Sequence, residues 1–442
     1  MARYAYDEQG RLRQVWDPRI SPALKTTYTY DSAGRVSTLT PPGQLPWTFN
    51  YGKVAAVTGA SDGMLLSVQR PTLEAGTKDQ VSGTATSTVV YNVPLTGTTA
   101  PAAMGSADVA KWGQNEAPVD AAAVFPADKV PSSSDGAQLT KADYARAMVL
   151  FMNASGRQVN QRNPGDHITT TQYDRYGNTV MELSAANRAL ALGLTAKDKA
   201  GLAELGLGSD ADGSAARARL LATETTFAAD GSRSTDSRGP LRMLTVGKDL
   251  KAADGTVLLA AGTAAPGRTW TTTSYDAGRP TDGSATVVNE PTKETVGAEL
   301  LTYPGQMADG RVTTTEYDWA KGLATKNVQD PGGLAITRIT EFDDKGRAVK
   351  SLMPKSNGTD PGTQLTTYWS ATGTGTCAGR PEWADQVCEV RYAGAAAGTN
   401  GALPVIYNEY NVYGQPAKVV EVPTAPPAPW SPPTTRPAAS RR

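Results

Sequence analysis

The chain has 442 residues, which is enough for two or three domains or for one long repetitive body. Its 43 Lys and Arg residues balance 43 Asp and Glu residues, so no overall field attracts nucleic acid or an anionic membrane. No apolar run reaches the roughly 18 to 20 residues of a membrane span. The 44 glycines and 30 prolines favour turn-rich β structure over helix bundles.

The N-terminal segment enters a repeat almost at once. MARYAYDEQGRLRQVW lacks the apolar stretch of a signal peptide, and the repeat pattern begins at Tyr4. This abrupt start is typical of a fragment, so we expect the chain to be a piece of a longer protein.

One motif returns seven times: an aromatic residue, Asp or Asn, two variable residues and Gly, usually followed by Arg, Asn or Gln. The copies are YAYDEQGRLRQV (4–15), YTYDSAGRVSTL (28–39), TQYDRYGNTVMEL (171–183), TSYDAGRP (273–280), TEYDWAKGLATKNV (315–328), TEFDDKGRAVKSL (340–352) and NEYNVYGQPAKVV (408–420). The copy at 275–278 is one residue shorter, and the copy at 317–322 is one residue longer. FMNASGRQV (151–159) is a degenerate eighth copy.

Each part of the motif suits a β-hairpin. The Thr-rich run before the aspartate alternates like a strand, and apolar residues alternate again after the glycine. Asp or Asn bonds backbone amides further along the turn, and Gly adopts the left-handed conformation that closes it. We therefore predict a mainly β chain of repeated antiparallel β-hairpins, with short helical insertions. The structural turn residues are Tyr6, Asp7, Gly10, Tyr30, Asp31, Gly34, Tyr173, Asp174, Gly177, Tyr275, Asp276, Gly278, Tyr317, Asp318, Gly322, Phe342, Asp343, Gly346, Tyr410, Asn411 and Gly414.

Composition divides the chain into six segments. An Ala-, Pro- and Ser-rich stretch reads as a surface insertion with a short helix at 140–148, capped by Thr140 with Asp143 at the third helical position. A second insertion has helical spacing of Leu and Ala, which predicts a helical cover for the sheet or a partner site. The segments are hairpins at 1–97, the first insertion at 98–150, hairpins at 151–185, the helical insertion at 186–224, hairpins at 225–421, and a disordered Pro-rich tail at 422–442.

The two cysteines and the tail leave alternatives open. Cys377 and Cys388 flank a short loop, and we predict that they form a disulfide in an oxidising compartment, two buried thiols being the alternative. The Pro-rich tail is consistent with a wall-spanning linker, an SH3-like ligand or a truncated gene product.

A search for catalytic and metal-binding chemistry finds little. The single His167 lies on the predicted entry strand of a repeat, without the companions of a catalytic triad or a metal site. The glycine-rich loop at 371–380 lacks the features of a phosphate loop. The acidic pair Asp343 and Asp344 fits solvated turn residues, and DADG (210–213) is a weak calcium candidate. We expect no enzyme activity and no cofactor.

Repeats of the form YDxxGR, as in YAYDEQGR and TYTYDSAGR, resemble the Rhs/YD-repeat superfamily. That superfamily includes bacterial Rhs and wall-associated polymorphic toxins, the C component of insecticidal Tc toxins, and the animal teneurins. The sequence TYTYDSAGRVSTLTPPG is most similar to large YD proteins of actinobacterial type. The resemblance implies a β-spiral that forms a hollow shell around a C-terminal toxin or other cargo. The hallmark DPxGxxG segment near the self-cleavage site is missing, and QDPGGLA (329–335) reads as an ordinary turn, so self-processing is not carried over.

Two functional hypotheses follow. The first is a non-catalytic shell segment of a secreted or wall-associated bacterial protein, with neighbouring YD-repeat segments or toxin cargo as partners. The second is a carbohydrate-binding surface module in which exposed Trp112, Trp319, Trp369 and Trp383 stack on wall or host glycans. We expect the chain alone to be β-rich, to lack a closed compartment, and to self-associate through unpaired strand edges.

Overall fold

The computed structural model describes residues 2–57, 59–74, 77, 79–208, 210, 213–394 and 403–422, with the backbone alone for residues 80–82. The chain divides into two compact units, which are described separately. Unit 1 comprises Met1–Thr272 and Val296–Gly310, and unit 2 comprises Thr273–Thr295 and Arg311–Arg442. The six-segment division stays a prediction, and nearly all of its Pro-rich tail, residues 423–442, lies outside the described residues.

Unit 1 contains the first seventeen strands of the described residues. They are β1 (Arg3–Tyr6), β2 (Leu12–Trp16), β3 (Thr26–Tyr30), β4 (Val36–Thr40), β5 (Trp47–Gly52), β6 (Met64–Leu73), β7 (Gln80–Val90), β8 (Asp120–Phe125), β9 (Met148–Met152), β10 (Gln158–Asn163), β11 (His167–Tyr173), β12 (Thr179–Leu183), β13 (Thr223–Phe227), β14 (Ser234–Arg238), β15 (Arg242–Thr245), β16 (Leu250–Lys251) and β17 (Val257–Leu259). β16 and β17 pair only with each other.

Three strands contain the positions at which the chain passes between the units, and seven further strands lie in unit 2. The three are β18 (Ala264–Tyr275), β19 (Pro291–Leu300) and β20 (Met307–Asp318). The seven are β21 (Leu323–Gln329), β22 (Ile336–Phe342), β23 (Ala348–Leu352), β24 (Thr363–Tyr368), β25 (Val387–Tyr392), β26 (Val405–Tyr410) and β27 (Pro416–Val422).

The strands pair antiparallel, and most pair with the next strand along the chain. In the β3–β4 hairpin Thr29 lies opposite Thr38, and the register then shifts by one residue before Tyr30 meets Val36. The same shift precedes the aromatic residue in the β1–β2, β11–β12, β22–β23 and β26–β27 hairpins. Such a shift is the bulge that a left-handed glycine introduces into a tight hairpin. The predicted fold class, mainly β with repeated antiparallel hairpins and short helices, is confirmed.

Helices are short and occur in the two insertions of unit 1. They are α1 (Ser106–Val109), α2 (Ala185–Leu192), α3 (Ala196–Glu204) and α4 (Ser214–Leu220). Ser184 caps α2 by accepting a bond from the Asn187 N–H at 3.2 Å, and left-handed Gly193 ends that helix. None of the helices in the described part of the chain has the length and apolar character needed to cross a membrane.

The helix expected at 140–148 is a 3-10 helix, Lys141–Arg146. Its first turn is held as the sequence predicts, because the Thr140 N–H donates to Asp143 Oδ2 at 2.9 Å. Three further 3-10 helices of the described residues are Ala110–Trp112, Gly136–Gln138 and Pro381–Trp383.

The main hydrophobic core of unit 1 lies where the insertions meet the sheet. It includes Val109, Trp112 and Tyr144 from the first insertion, together with Phe151 and Leu202. The expectation that residues 98–150 form a surface insertion is therefore wrong for these side chains. An Ala- and Pro-rich composition resembles a surface loop, but its few large apolar residues are buried, because they cover the face of β8, β9 and β11.

Candidate functional site: the junction between hairpins

The repeat turn is closed by a fixed set of hydrogen bonds, which the second copy illustrates. The Asp31 N–H donates to the Arg35 carbonyl at 2.9 Å, and the Gly34 N–H donates to the Asp31 carbonyl at 3.0 Å. Asp31 Oδ1 accepts the N–H groups of Ala33 and Arg35, each at 2.9 Å. Gly34 has a φ of +81°, which a side chain resists. The turn is thus built from contacts within five residues.

The same pattern recurs at Asp7, Asn153, Asp174, Asp343 and Asn411. In each case one side-chain oxygen accepts the N–H groups two and four residues further along. The degenerate copy FMNASGRQV therefore has the full turn, and asparagine makes the same bonds as aspartate in this position.

The two copies of altered length depart from the pattern. Asp276 itself has a left-handed φ of +60°, and its N–H bonds Glu290 across a longer loop, so Gly278 does not close a tight hairpin. At the longer copy, the Gly322 N–H donates to the Asp318 carbonyl at 2.8 Å, and one extra residue is accommodated before the glycine. Because the turn closes after a fixed number of residues, one residue more or fewer changes which position takes the left-handed conformation.

An arginine after the glycine links one hairpin to the next. Arg11 Nε lies 2.8 Å from Asp7 Oδ2, and its guanidinium stacks over the ring of Tyr30, with the carbon 4.8 Å from the centroid. Arg35 joins Asp31 and stacks over Tyr51 in the same way. Equivalent stacks place Arg157 over Tyr173 and Arg347 over Tyr368. The repeat pattern by itself indicates no role for this arginine.

The tyrosine of the next hairpin completes the link with its hydroxyl. Here the outgoing strand is the one that leads into a turn, and the return strand is the one that leaves it. The Tyr30 hydroxyl donates to the carbonyl of Leu12, the first residue of the preceding return strand, at 2.7 Å. The same bond is made to the preceding return strand by Tyr51, Tyr91, Tyr173, Tyr368 and Tyr410. Tyr317 bonds the Pro291 carbonyl in an equivalent manner.

The ladder between neighbouring hairpins stops before the turns, which explains why the tyrosine is needed. Between β2 and β3 the paired residues are Gln14 with Thr27 and Val15 with Thr26. Towards the turns the two strands separate, and the side chain of Tyr30 spans the gap. We call this arrangement of ladder and tyrosine, with the stacked arginine where one precedes the return strand, the junction. The pairs always begin two residues after the hydroxyl-bonded residue and three residues before the tyrosine.

The junction also contains tyrosines that lie outside the seven copies of the motif. Tyr51, Tyr91 and Tyr368 occupy the tyrosine position although no aspartate follows them. The signal for Tyr91 and Tyr368 is a tyrosine at or just after the end of a Thr-rich strand, whereas the strand of Tyr51, WTFNYG, has one threonine. The turn also recurs at Ala228 and Ala252, which bond Gly231 and Gly255 through the backbone alone. The aspartate is therefore dispensable for the turn backbone, whereas these turns keep the glycine.

The predicted aromatic residues lie where the motif placed them, at the ends of outgoing strands. Tyr6 ends β1, Tyr30 ends β3, Tyr173 ends β11, Tyr275 ends β18, Tyr317 lies next to the end of β20, Phe342 ends β22 and Tyr410 ends β26. The contribution of the motif residues to stability stays a prediction, and three experiments address it.

Valine at Gly34 should lower the free energy of unfolding by about 1–3 kcal/mol, because it forces a β-branched residue to a φ of +81°. Asp31→Asn should cost much less than the valine substitution, since asparagine keeps the turn bonds and loses only a partly exposed ion pair. Thermal and urea unfolding would measure both. Gly332→Val is the control, because Gly332 has an ordinary φ and open space around its Cα. Equal losses at Gly34 and Asp31 would contradict this hairpin mechanism.

Acid should weaken the hairpins. The Arg35 backbone N–H is the main cause that lowers the pKa of Asp31 below its usual 3.8, and the Arg347 side chain does the same for the pKa of Asp343. A carboxyl group whose pKa is lowered by folding stabilises the folded state at pH values above its unfolded pKa. This stabilisation is lost as the pH falls through the folded pKa. Melting temperatures should therefore drop below about pH 4. The double variant Asp31→Asn, Asp343→Asn should show a flatter profile between pH 5 and 2, and an unchanged slope would refute the assignment.

Phenylalanine takes the place of the junction tyrosine at Phe342, which ends β22, and at Phe227. Phe227 ends β13, and Thr179 begins the preceding return strand; both line a cleft of about 280 Å³. The turns are instead tied by Asn178 Nδ2, which donates to the Gly231 carbonyl at 2.8 Å. Phe227→Tyr should add a hydroxyl within reach of the Thr179 carbonyl and stabilise unit 1 by about 0.5–1.5 kcal/mol. The reciprocal Tyr30→Phe should lose a similar amount, and urea unfolding of both variants would show whether the signs are opposite.

The four tryptophans of the glycan-binding hypothesis do not form the exposed row that glycan stacking requires. Trp112 is 2% exposed, and its Nε1 donates to Gln114 Oε1 at 3.0 Å. Trp369 is 8% exposed and packs edge-on against half-buried Trp383, with ring centroids 4.9 Å apart. Trp319 is half-buried and packs against Tyr317. The carbohydrate-binding alternative has no support from these side chains.

Other candidate sites have ordinary structural surroundings. His167 is exposed at the start of β11. Asp330 accepts the Leu334 N–H at 2.7 Å, so QDPGGLA forms a turn between β21 and β22. In the calcium candidate, Ala211 and Asp212 lie outside the described residues. Across the part of the chain that the structure describes, no group of three or more His, Cys, Asp or Glu is placed to hold a metal ion.

The cysteine loop contacts a junction in unit 2. Cys377 and Cys388 are joined by a disulfide of 2.02 Å. Within the loop that they close, Asp385 Oδ1 accepts a charged bond from Arg347 at 2.6 Å, so the loop is tied to the arginine that stacks over Tyr368. The oxidising compartment that would maintain this bond stays a prediction.

Comparison with known proteins agrees with the repeat. The RHS Repeat family model matches residues 6–44, the first two hairpins. No curated protein matches the chain. Three solved structures show remote similarity: TcdB2-TccC3-TEV (10% identity, TM-score 0.17), a Photorhabdus luminescens Tc holotoxin pore (11%, 0.18), and TcdB2-TccC3 without its hypervariable C-terminal region (11%, 0.18). They cover 95%, 96% and 95% of this chain.

The chain spans only about a quarter of those three structures, 26%, 26% and 25% of their lengths. TM-scores of this size carry no structural detail from one protein to the other. The repeat itself is the firm link, because the matched hairpins at residues 6–44 share their turn bonds and tyrosine junctions with the later copies. The first two hairpins of the chain are therefore RHS repeats, and the later copies repeat their turn and tyrosine bonds.

Proposed function

We propose that the chain is a non-catalytic segment of a YD-repeat shell, which encloses or presents a C-terminal toxin or other cargo in a secreted or wall-associated bacterial protein. The observation that carries this proposal is the junction. It uses the most polar residues of the motif, Asp, Arg and the tyrosine hydroxyl, to hold one hairpin against the next.

The junction accounts for the motif without a ligand. In the second copy, the Asp31 carboxylate is occupied by Ala33, by the backbone of Arg35 and by the Arg35 side chain. The Tyr30 hydroxyl is likewise occupied by the Leu12 carbonyl. Side chains whose hydrogen-bonding groups are used within the fold hold the hairpins together. A row of hairpins held side by side in this way is suited to form the wall of a shell.

The shell proposal predicts protection of cargo. A complete assembly containing this chain, with a folded reporter protein in the cargo position, should keep the reporter intact under a protease that digests the free reporter. Weakening the wall with Tyr30→Phe and Tyr51→Phe together should make the reporter digestible, while Tyr28→Phe, outside the junction bonds, is the matched control. Equal digestion of free and assembled reporter would refute the enclosing role.

Partners and location follow from the same proposal. The expected partners are adjoining YD-repeat segments and the cargo, and the expected location is outside the cytoplasm. Fractionation of the producing cells with an antibody against the chain tests the location. Recovery only from the cytoplasm would contradict it.

A further inference from the structure

A charged cleft of about 380 Å³ lies in unit 1, between the insertions and the sheet. Strands β11 to β14 form one wall, and α4 and Asn115, which follows the 3-10 helix of the first insertion, form the other. β12 and β13 share only two ladder pairs, and α4 packs against both strands. The size of the cleft falls within the roughly 300–1,000 Å³ of sites for small molecules.

The first insertion is held against the sheet at this cleft. The Asn115 N–H donates to Gln172 Oε1 at 3.0 Å, and Gln172 Nε2 donates to the Gly113 carbonyl at 3.1 Å. Gln172 of β11 is only 9% exposed. A Cβ atom at Gly113 would lie 3.5 Å from Arg219 Cγ and 3.7 Å from Arg219 Nε, so the Arg219 side chain runs along this segment. The walls of the cleft are thus fixed by contacts within the protein.

Two arginines that line the cleft have unused hydrogen-bond donors. Arg219 is exposed, and its guanidinium has no hydrogen bond or ion pair with any residue that the structure describes. Arg238 Nε is buried and donates no hydrogen bond, although it lies 3.3 Å from Glu299 Oε2 and 3.6 Å from Asp236 Oδ1. Arg219 is therefore a cation of the cleft without an acidic partner, and its planar fork is free to bind a carboxylate.

Two acidic side chains on the sheet wall each have one open oxygen. Glu224 Oε2 accepts a bond from Arg268 Nη1 at 2.9 Å. Asp236 Oδ2 accepts a bond from Trp270 Nε1 at 2.6 Å. Within the described residues, the other oxygen of each carboxylate accepts no hydrogen bond. Such an oxygen can accept a charged bond from an ammonium group.

The charges of the lining narrow the class of ligand. The lining contains two arginines and two acids, so it is neutral overall but presents both signs. A simple anion would be repelled by the carboxylates, and a simple cation would be repelled by the guanidinium groups. A ligand with a carboxylate at one end and an ammonium group at the other complements both walls.

We propose that this cleft binds a small zwitterion, an amino acid or a short peptide, whose carboxylate pairs with Arg219 and whose ammonium group bonds the open oxygens of Asp236 and Glu224. Arg219 can hold the carboxylate through two parallel N–H bonds, which is the strongest geometry for this pair. The binding activity goes beyond the shell role, because Arg219 is not one of the arginines that stack at the junctions.

Three dipeptide probes that differ only at their termini test the ligand class. Alanyl-alanine has both charges, N-acetyl-alanyl-alanine lacks the ammonium group, and alanyl-alanine amide lacks the carboxylate. Ligand-observed NMR titration of the full chain should give a dissociation constant of the order of 1 mM for alanyl-alanine. Each blocked probe should bind at least about tenfold more weakly, because one charge-assisted bond is lost. Titration with alanine and with trialanine then distinguishes a free amino acid from a peptide.

Substitutions in the full chain assign the two contacts. Arg219→Gln should weaken alanyl-alanine binding at least about tenfold but leave the binding of the amide unchanged, since the amide has no carboxylate. Lys199→Gln removes the same charge from an exposed position of α3 outside the cleft and should change neither. Asp236→Asn should weaken alanyl-alanine but not the N-acetyl probe. Because Arg219 has no bonds to the described residues, its substitution should leave the melting temperature unchanged.

Three results would overturn the site. Equal binding of the three dipeptide probes would show that the termini make no specific contact. Equal weakening by Arg219→Gln and Lys199→Gln would show that overall charge, and not the cleft, attracts the peptide. Absence of binding by alanine and by both unblocked peptides at about 20 mM would show that the cleft does not take zwitterions. None of these results would contradict the shell role.

Discussion

Replacing Trp112 with alanine should lower the free energy of unfolding of unit 1 by about 3–5 kcal/mol, as expected for a large aromatic residue in a packed core. Trp112 is 2% exposed, and the Arg188 guanidinium lies over its ring at 3.9 Å. Its Nε1 donates to Gln114, which in turn bonds Asn160 of β10 at 2.9 Å. Removal would therefore leave a cavity beside the Arg188 guanidinium, whereas Gln114 Oε1 would keep its bond from Asn160 Nδ2 at 2.8 Å.

Urea unfolding followed by circular dichroism would measure the Trp112 effect. Trp16→Ala is the matched control in the same unit, because Trp16 is only half-buried on β2 and should cost much less. A loss of stability at Trp112 as small as the loss at Trp16 would show that the first insertion contributes little to the core, contrary to its buried position.

Opening the Cys377–Cys388 bond should destabilise unit 2 by about 2–3 kcal/mol, because reduction frees a loop whose ends are 11 residues apart. The loop carries Trp383, which packs on Trp369, and the Trp369 Nε1 donates to the Asn408 carbonyl at 2.9 Å. Loss of the closed loop should thus change tryptophan fluorescence as well as stability.

Unfolding with and without reductant would test this prediction, together with mass spectrometry of the non-reduced exported protein. The double variant Cys377→Ala, Cys388→Ala is the control, and its stability should not respond to reductant. Two free thiols in the exported protein would contradict both the bond and the oxidising compartment.

Some of the junction could be read from the sequence, and some could not. The turn was predictable at Asp31 and Gly34 because each of its bonds joins residues at most four positions apart. The left-handed glycine of the degenerate copy, Gly156, was predictable for the same reason. The role of Arg35 was not, since its stacking partner Tyr51 belongs to the next hairpin.

The sequence by itself determined the hairpins, because turn chemistry and strand alternation act over a few residues. Only the tertiary structure decided which residues join the hairpins and which side chains are buried. Tyr30 finds the Leu12 carbonyl eighteen positions away, and Tyr51 serves equally well with no aspartate after it. Trp112 lies in a segment whose composition resembles a surface loop, yet it is buried. Burial and junction bonds depend on which strands lie side by side, and that is set by contacts between residues far apart in the chain.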